Sequence, residues 1–245
     1  MANSWIEEMK RTLYIAEKDV KIYFLKGPNL TFGLLLPVVL YLAFSIGRTV
    51  DPTSAIPGLV AMAAFFGAGA IQAVSLPLER RTGTLKMLLT APTSLSTIIF
   101  GKTLAGFFFG TFLSLVYTII MLPFSPLPNL LPFFLGILFS SSMFSVFGLL
   151  LSSPFRDIPD AMPPATVVRI AMVFICGVFI PIETMPASLQ TVAYALPLTY
   201  SVDALRQAMG GPLNIQIFLI DLAVQFLYSL VFLFATIKLL KKTIE

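Results

Sequence analysis

Long apolar stretches broken by short charged segments dominate the chain, and the charge-free intervals predict its membrane spans. A bilayer core of about 30 Å takes about 20 helical residues at 1.5 Å each. The interval between Lys26 and Arg48 predicts a first span at about 29–47, and the 27 uncharged residues between Asp51 and Glu79 a second from Pro57 to Leu78. From Thr103 to Phe155 there are 53 uncharged residues, too many for one crossing and interrupted by prolines at 123, 126, 128 and 132. Two spans, at about 100–122 and 131–152, joined by a tight turn, fit that interval. A fifth at about 165–182 follows Pro163-Pro164 and holds Arg169 near one end, where a long side chain can reach the interface. The sixth, about 216–238, holds Asp221 near its other end.

Composition agrees with this pattern. Hydrophobic residues make up 57% of the 245 positions and charged ones 11%, with a mean hydropathy of +0.92, which excludes a water-soluble globule. The single cysteine, Cys176, allows no intrachain disulfide, and the absence of histidine removes the commonest metal ligand and general base. The net charge of +4 is explained by placement and not by nucleic acid. With the N-terminus inside, fourteen of the sixteen Lys and Arg fall on the cytoplasmic side and only Arg48 and Arg206 outside, so the positive-inside bias predicts six spans with both termini cytoplasmic. Asp51, Glu183 and Pro212 then face outward, and Glu79, Asp157 and Lys241 inward. A polar stretch precedes the first span, so no cleavable signal peptide is expected.

The non-spanning segments carry their own patterns. Trp5, Met9, Leu13, Ala16, Val20 and Phe24 recur at helical spacing, with Glu7, Lys10, Arg11, Lys18 and Lys21 on other faces. This predicts an amphipathic interfacial helix over 1–28, opened by a capping box at Ser4–Glu7, ahead of a permease domain at 29–245. Surface anchoring and docking of a partner are both open to it. Between the second and third spans, Leu85, Met87, Leu88 and Leu89 are too apolar for a plain loop and predict a short helix, capped by Thr82 or Thr84 and ended by Pro92. A connector lying on the membrane is the alternative. After the fifth span, Ser188 to Leu196 and Ser201 to Met209 are each too short to cross. Leu189, Val192, Ala193 and Leu196 form one apolar stripe, and two helices dipping into the outer leaflet satisfy that pattern. Asp203 and Arg206 are i,i+3 neighbours able to pair, as scaffold or as substrate contact.

Glu79-Arg80-Arg81-Thr82-Gly83-Thr84-Leu85-Lys86-Met87-Leu88-Leu89-Thr90-Ala91-Pro92 resembles the segment after the second span in permease subunits of type-2 ABC exporters, and Gly101-Lys102 matches as well. Lys86 stands where that family has Glu, and Ala91 separates Thr90 from Pro92. A second stretch is similar to the same family: Gly177 to Pro181, then Met185-Pro186 and Leu189, and Pro197, Tyr200, Asp203 and Arg206. The resemblance implies an all-α polytopic membrane protein with six transmembrane helices, an N-terminal interfacial helix, a cytoplasmic coupling helix and two short re-entrant helices between the fifth and sixth spans. It implies that Glu79, Arg80, Thr82, Gly83, Thr84, Leu85, Lys86, Leu88, Leu89 and Pro92 meet an ATP-binding partner present in two copies. In that reading the chain pairs with an identical or second permease, binds no cofactor and no metal itself, and leaves ATP and magnesium to the partner subunit. The expected activity is outward movement of a lipid-like or amphipathic drug-like molecule, with polysaccharide or glycolipid export as the alternative.

Several other signals fail. Gly101-Lys102-Thr103 lacks the upstream Gly of a phosphate loop, since Ser96 stands there, so no ATPase site is expected in this chain. Asp157 and Asp160 lie together beside Arg156 and do not form an intramembrane acid pair. An intramembrane enzyme lacks His, paired in-span acids and a based serine, and a passive channel lacks charged rings. Cys176 has no charged neighbour and is expected to be inert packing. Gly106 with Gly110, and less regularly Gly67 with Gly69, predict close helix packing or a dimer seam. The spans' few polar groups are Gln72, Ser114, Ser140 to Ser142 and Gln225.

Overall fold

A computed structural model describes the backbone of residues 2–24, 27–46, 52–91, 93–124, 128–209 and 212–244. Side chains are described except at 2–6, 24, 27–32, 44–45, 52–54, 124 and 243–244. The described residues are all-helical, with no strand. The helices are α1 (Ala2–Asp19, continued by a π turn Val20–Phe24), α2 (Gly27–Ser45), α3 (Pro52–Thr82), α4 (Thr84–Thr90), α5 (Leu95–Met121), α6 (Leu130–Ser152), α7 (Ile158–Ile175), α8 (Ala187–Tyr194), α9 (Pro197–Ala208) and α10 (Ile215–Ile244). Five of them, α3, α5, α6, α7 and α10, are long and apolar enough to cross a membrane, and the described apolar part of α2 is the shorter run Gly33–Ala43. The chain is a multi-pass membrane protein.

α3 is the central helix. It is buried along almost its whole apolar length, packed between α5 and α6, while α7 and α10 keep most of their surface outward. Small residues make that packing possible. A Cβ on Gly148 of α6 would lie 2.3 Å from the Gly69 carbonyl oxygen of α3, and one on Gly110 of α5 would lie 2.7 Å from Ala68 Cβ. Gly106 and Gly110 therefore bring helices of one chain together. The polar residues of the spans have the same task. Ser114 Oγ donates to the Val60 carbonyl at 3.2 Å, Ser152 Oγ to the Gln72 carbonyl at 3.2 Å, and Ser140 Oγ to Gln225 Oε1 at 3.0 Å. The Gln72 amide donates to the Lys102 carbonyl. These groups satisfy one another inside the bundle, where an unpaired polar atom is costly.

The structure departs from the sequence expectations at several ends. α7 begins at Ile158, not at 165, and closes at Ile175, so Pro163 and Pro164 lie inside it and Asp160 is in its first turn, where an acidic side chain suits the helix dipole. Arg169 is consequently not near an interface; it sits well inside α7 and is 6% exposed. α5 begins at Leu95, capped by Ser94, whose hydroxyl accepts from the Thr97 N–H at 3.1 Å. α1 starts at Ala2, so Ser4 is within the helix and does not cap it; the side chains of Ser4 and Trp5 lie outside the described residues. Arg48, Asp51 and Pro92 lie outside them altogether, as does part of the turn before α6.

Gly148→Ala drives a methyl into the α3 backbone, and overpacking of this kind costs ~1–3 kcal/mol. A lower thermal midpoint of the detergent-purified chain is expected; an unchanged midpoint would show that α3 and α6 do not approach this closely.

Candidate functional site

The end of the bundle that carries α1 and α4 concentrates the chain's unusual chemistry. α1 lies across the start of α5. Ile15 packs so tightly there that a Cβ on Gly101 would fall 2.7 Å from Ile15 Cβ. The face α1 buries is Ile15, Ala16 and Asp19, whereas Met9 and Leu13 of the predicted stripe are exposed. Met9 and Leu13 are thus free to meet lipid, whereas Ala16 and Val20 of the same stripe meet protein.

Four charges close this contact. Lys102 Nζ of α5 lies 3.0 Å from Asp19 Oδ2 of α1 and 2.8 Å from Glu79 Oε2 of α3. Lys18 Nζ lies 3.0 Å from Asp19 Oδ1 and also pairs with Glu79 Oε1. Each lysine therefore touches both acids, and the set is neutral. Asp19, Glu79 and Lys102 are buried. Tyr23 stands beside it, its ring centroid 6.0 Å from Lys102 Nζ. Burial alone pulls the Lys18 ammonium down, but Asp19 and Glu79 outweigh it and hold it above its ordinary value. Burial, then Glu79 and Asp19, push the Tyr23 phenol strongly up. The sequence reading puts Glu79 among the partner contacts and Lys102 among the cytoplasmic loop cations and gives Asp19 no role; here Glu79 is buried and paired with both lysines.

α3 leads from this cluster into α4. Arg80 donates to the Ser153 carbonyl at 3.0 Å and to the Phe155 carbonyl, fastening the end of α3 to the link between α6 and α7. Gly83 then turns the chain with φ of 78°, a left-handed conformation that suits glycine. Gly83 itself is the N-cap of α4, and neither Thr82 nor Thr84 caps it; Thr82 Oγ1 donates back to the Leu78 carbonyl at 3.0 Å. α4 presents two sides. Leu85, 3% exposed, packs with Leu76, Ile99, Leu149 and Leu240, which belong to α3, α5, α6 and α10. This corrects the expectation that the apolar side chains of this segment all face away from the bundle. Met87, 73% exposed, points outward; Lys86 is exposed, and Leu88 and Leu89 are half-buried. Beside α4 a groove of about 550 Å³ is lined by Arg80, Arg81, Lys86 and Arg156, with Asp157 as the one acid among its described residues.

The opposite end holds the second group of expected residues. α8 and α9 measure about 12 and 18 Å, too short to cross. Arg206 Nη2 donates to the Gly177 carbonyl at 2.9 Å and its Nη1 lies 3.5 Å from Asp203 Oδ1, so the i,i+3 pair forms. Tyr200 donates to the Tyr194 carbonyl at 2.7 Å, Pro197 opens α9 in its first turn, and Pro181 and Pro186 are exposed ahead of α8. Of the predicted stripe on α8, Ala193 is buried but Leu189 and Val192 are exposed.

The family model described as ABC-2 type transporter matches residues 20–209. The chain is 27% identical over 157 residues to "Probable multidrug ABC transporter permease YbhR" of Escherichia coli K12, and equally to the protein of that name in E. coli O157:H7. The match takes in 62% of this chain but 42% of either relative, so the chain spans less than half the length of the curated relatives it matches.

Lys102→Met removes the cation shared by two buried carboxylates, which breaking a buried pair prices at about 3–5 kcal/mol. A lower thermal midpoint is expected, against little change for Lys21→Met on the exposed side of the π turn. On the alkaline side the sign is set by two raised groups, Lys18 from 10.5 and Tyr23 from 10.0. Their folded forms hold protons that the unfolded chain releases, so stability is full below about pH 10 and falls as pH rises past it. Thermal midpoints between pH 7 and 11 check this; a flat profile above pH 10 would contradict it.

Proposed function

The chain belongs to the ABC-2 type transporter family, and from that premise we propose that it is the membrane subunit of an ATP-driven exporter. In this reading α2 joins the five long apolar helices as a sixth span, both termini lie in the cytoplasm, and α8 and α9 are re-entrant from the outer face. The basic end segments support that orientation. A second permease completes the pathway, and separate ATP-binding subunits, which hold ATP and magnesium, supply the work in the cell membrane. The substrate is lipid-like or amphipathic, in keeping with predominantly apolar spans in which Ser114, Ser140, Ser152 and Gln72 are spent on interhelical hydrogen bonds.

The observation that carries the proposal is the two-sided α4. Met87 outside and Leu85 inside make it a short lever whose inner side packs on α3 and joins a buried cluster drawn from four long helices. Motion of a partner gripping Met87 and Leu88 reaches the spans through Leu85 and through the turn at Gly83. The basic groove beside it selects a partner with an acidic rim, and Lys86, in place of the family's glutamate, adds to that selection.

Met87→Asp and Leu88→Asp are expected to weaken binding of the ATP-binding subunit by ~2 kcal/mol, about thirtyfold, with the permease still folded. Leu85→Asp is expected to lower the folded yield instead. Co-purification of the ATP-binding subunit with each variant, alongside transport, is the measurement. Normal partner retention and export by both Met87→Asp and Leu88→Asp would reject the coupling role.

A further inference from the structure

Three arginines in described helices each reach a backbone carbonyl, but they are not equally satisfied. Arg80 bonds two carbonyls, and Arg206 bonds one and pairs with Asp203. Arg169 has one long bond, from Nη2 to the Gly69 carbonyl at 3.2 Å, and its Nε has no partner among the described residues. No carboxylate among them pairs with it. It lies about 17 Å along α7 from Ile158 and six residues before the helix ends, at the depth of a bilayer interior. A guanidinium there is expensive and remains charged, so it requires an anion or a role.

A cavity of about 220 Å³ adjoins it, between α2, α3 and α7. Gly33, Phe66, Ala70, Val74, Met162 and Thr166 share its lining with Arg169, the one charged residue among those described there. The volume suits a small headgroup and not an extended molecule, and the walls suit the first methylenes of attached chains. We propose that this cavity is a binding subsite for the anionic headgroup, a phosphate ester or carboxylate, of an amphiphile, with the Arg169 guanidinium as counter-ion. A planar fork of donors reads such an oxyanion in two-point fashion, which a lysine ammonium does not. The Gly69 carbonyl holds the guanidinium through Nη2, at the point where Gly148 lets α6 close on α3. The subsite rests on the export reading for its purpose and names the substrate class that reading leaves broad: an anionic amphiphile.

The test uses the full chain in nanodiscs of phosphatidylcholine with or without phosphatidylglycerol, read by thermal midpoint and by native mass spectrometry of retained lipid. Wild type is expected to keep phosphatidylglycerol at least fivefold over phosphatidylcholine. Arg169→Gln loses that preference, and Arg169→Lys keeps part of it. Thr166→Phe, which fills the cavity and leaves the guanidinium in place, also loses it and guards against simple misfolding of Arg169→Gln. Equal preference in wild type, Arg169→Gln and Thr166→Phe overturns the proposal. Stabilisation by inorganic phosphate in pure phosphatidylcholine, equal to that by phosphatidylglycerol, overturns the amphiphile and leaves a free-anion site. Retention is read without ATP or a partner, so failure of export with retention intact counts against the export reading alone.

Discussion

Two lysines and two acids with no net charge decide how one end of this protein is put together. Removing such groups from water costs several kcal/mol per ion, and the expense is recovered only when each finds its partners at short range. Lys18 and Asp19 come from α1, Glu79 from α3 and Lys102 from α5. The three helices are therefore fixed to one another in register as well as in distance, because a turn of slip in any of them strands a buried charge. The neighbouring elements inherit that register. Arg80 is one residue beyond Glu79 and fastens the end of α3 to the link before α7; Gly83 is four beyond and sets the direction of α4. An element that must transmit force needs such a fixed base.

Much of the architecture is legible in the linear pattern because bilayer thickness imposes a length on every crossing. The intervals between charges located α3, α5, α6 and α10 to within a few residues. The same rule misplaced α7, since it treats Pro163-Pro164 as a start signal, whereas a proline ring tolerates helical φ and here lies on an exposed side of a helix already begun. It also misjudged Lys102 and Arg169. A charge marks a boundary only when water receives it, and nothing in one dimension shows that Lys102 meets Asp19 from 83 positions away.

The site was legible in outline and wrong in orientation. Helical spacing found α4, but which of its leucines turns inward depends on where α5, α6 and α10 end, and those ends converge only in three dimensions. Leu85 fills the space among them. Likewise the stripe on α1 was correctly periodic, yet the docking face is set by Gly101, whose missing side chain is visible only once α5 is beside it. Of the few polar groups named in the spans, Ser114, Ser140, Gln72 and Gln225 are consumed by interhelical hydrogen bonds, which the linear pattern does not show.

The dryness of Asp19, Glu79 and Lys102 separates them from the basic groove a few residues away. Mobile ions screen charges in water over a Debye length of about 8 Å at physiological ionic strength, but they do not enter a site from which water is excluded. Added salt therefore loosens what the groove of Arg80, Arg81, Lys86 and Arg156 attracts while leaving α1 clamped to α3 and α5. Ionic strength acts on this molecule as a selective solvent: it dissolves the external electrostatic contact and spares the internal one.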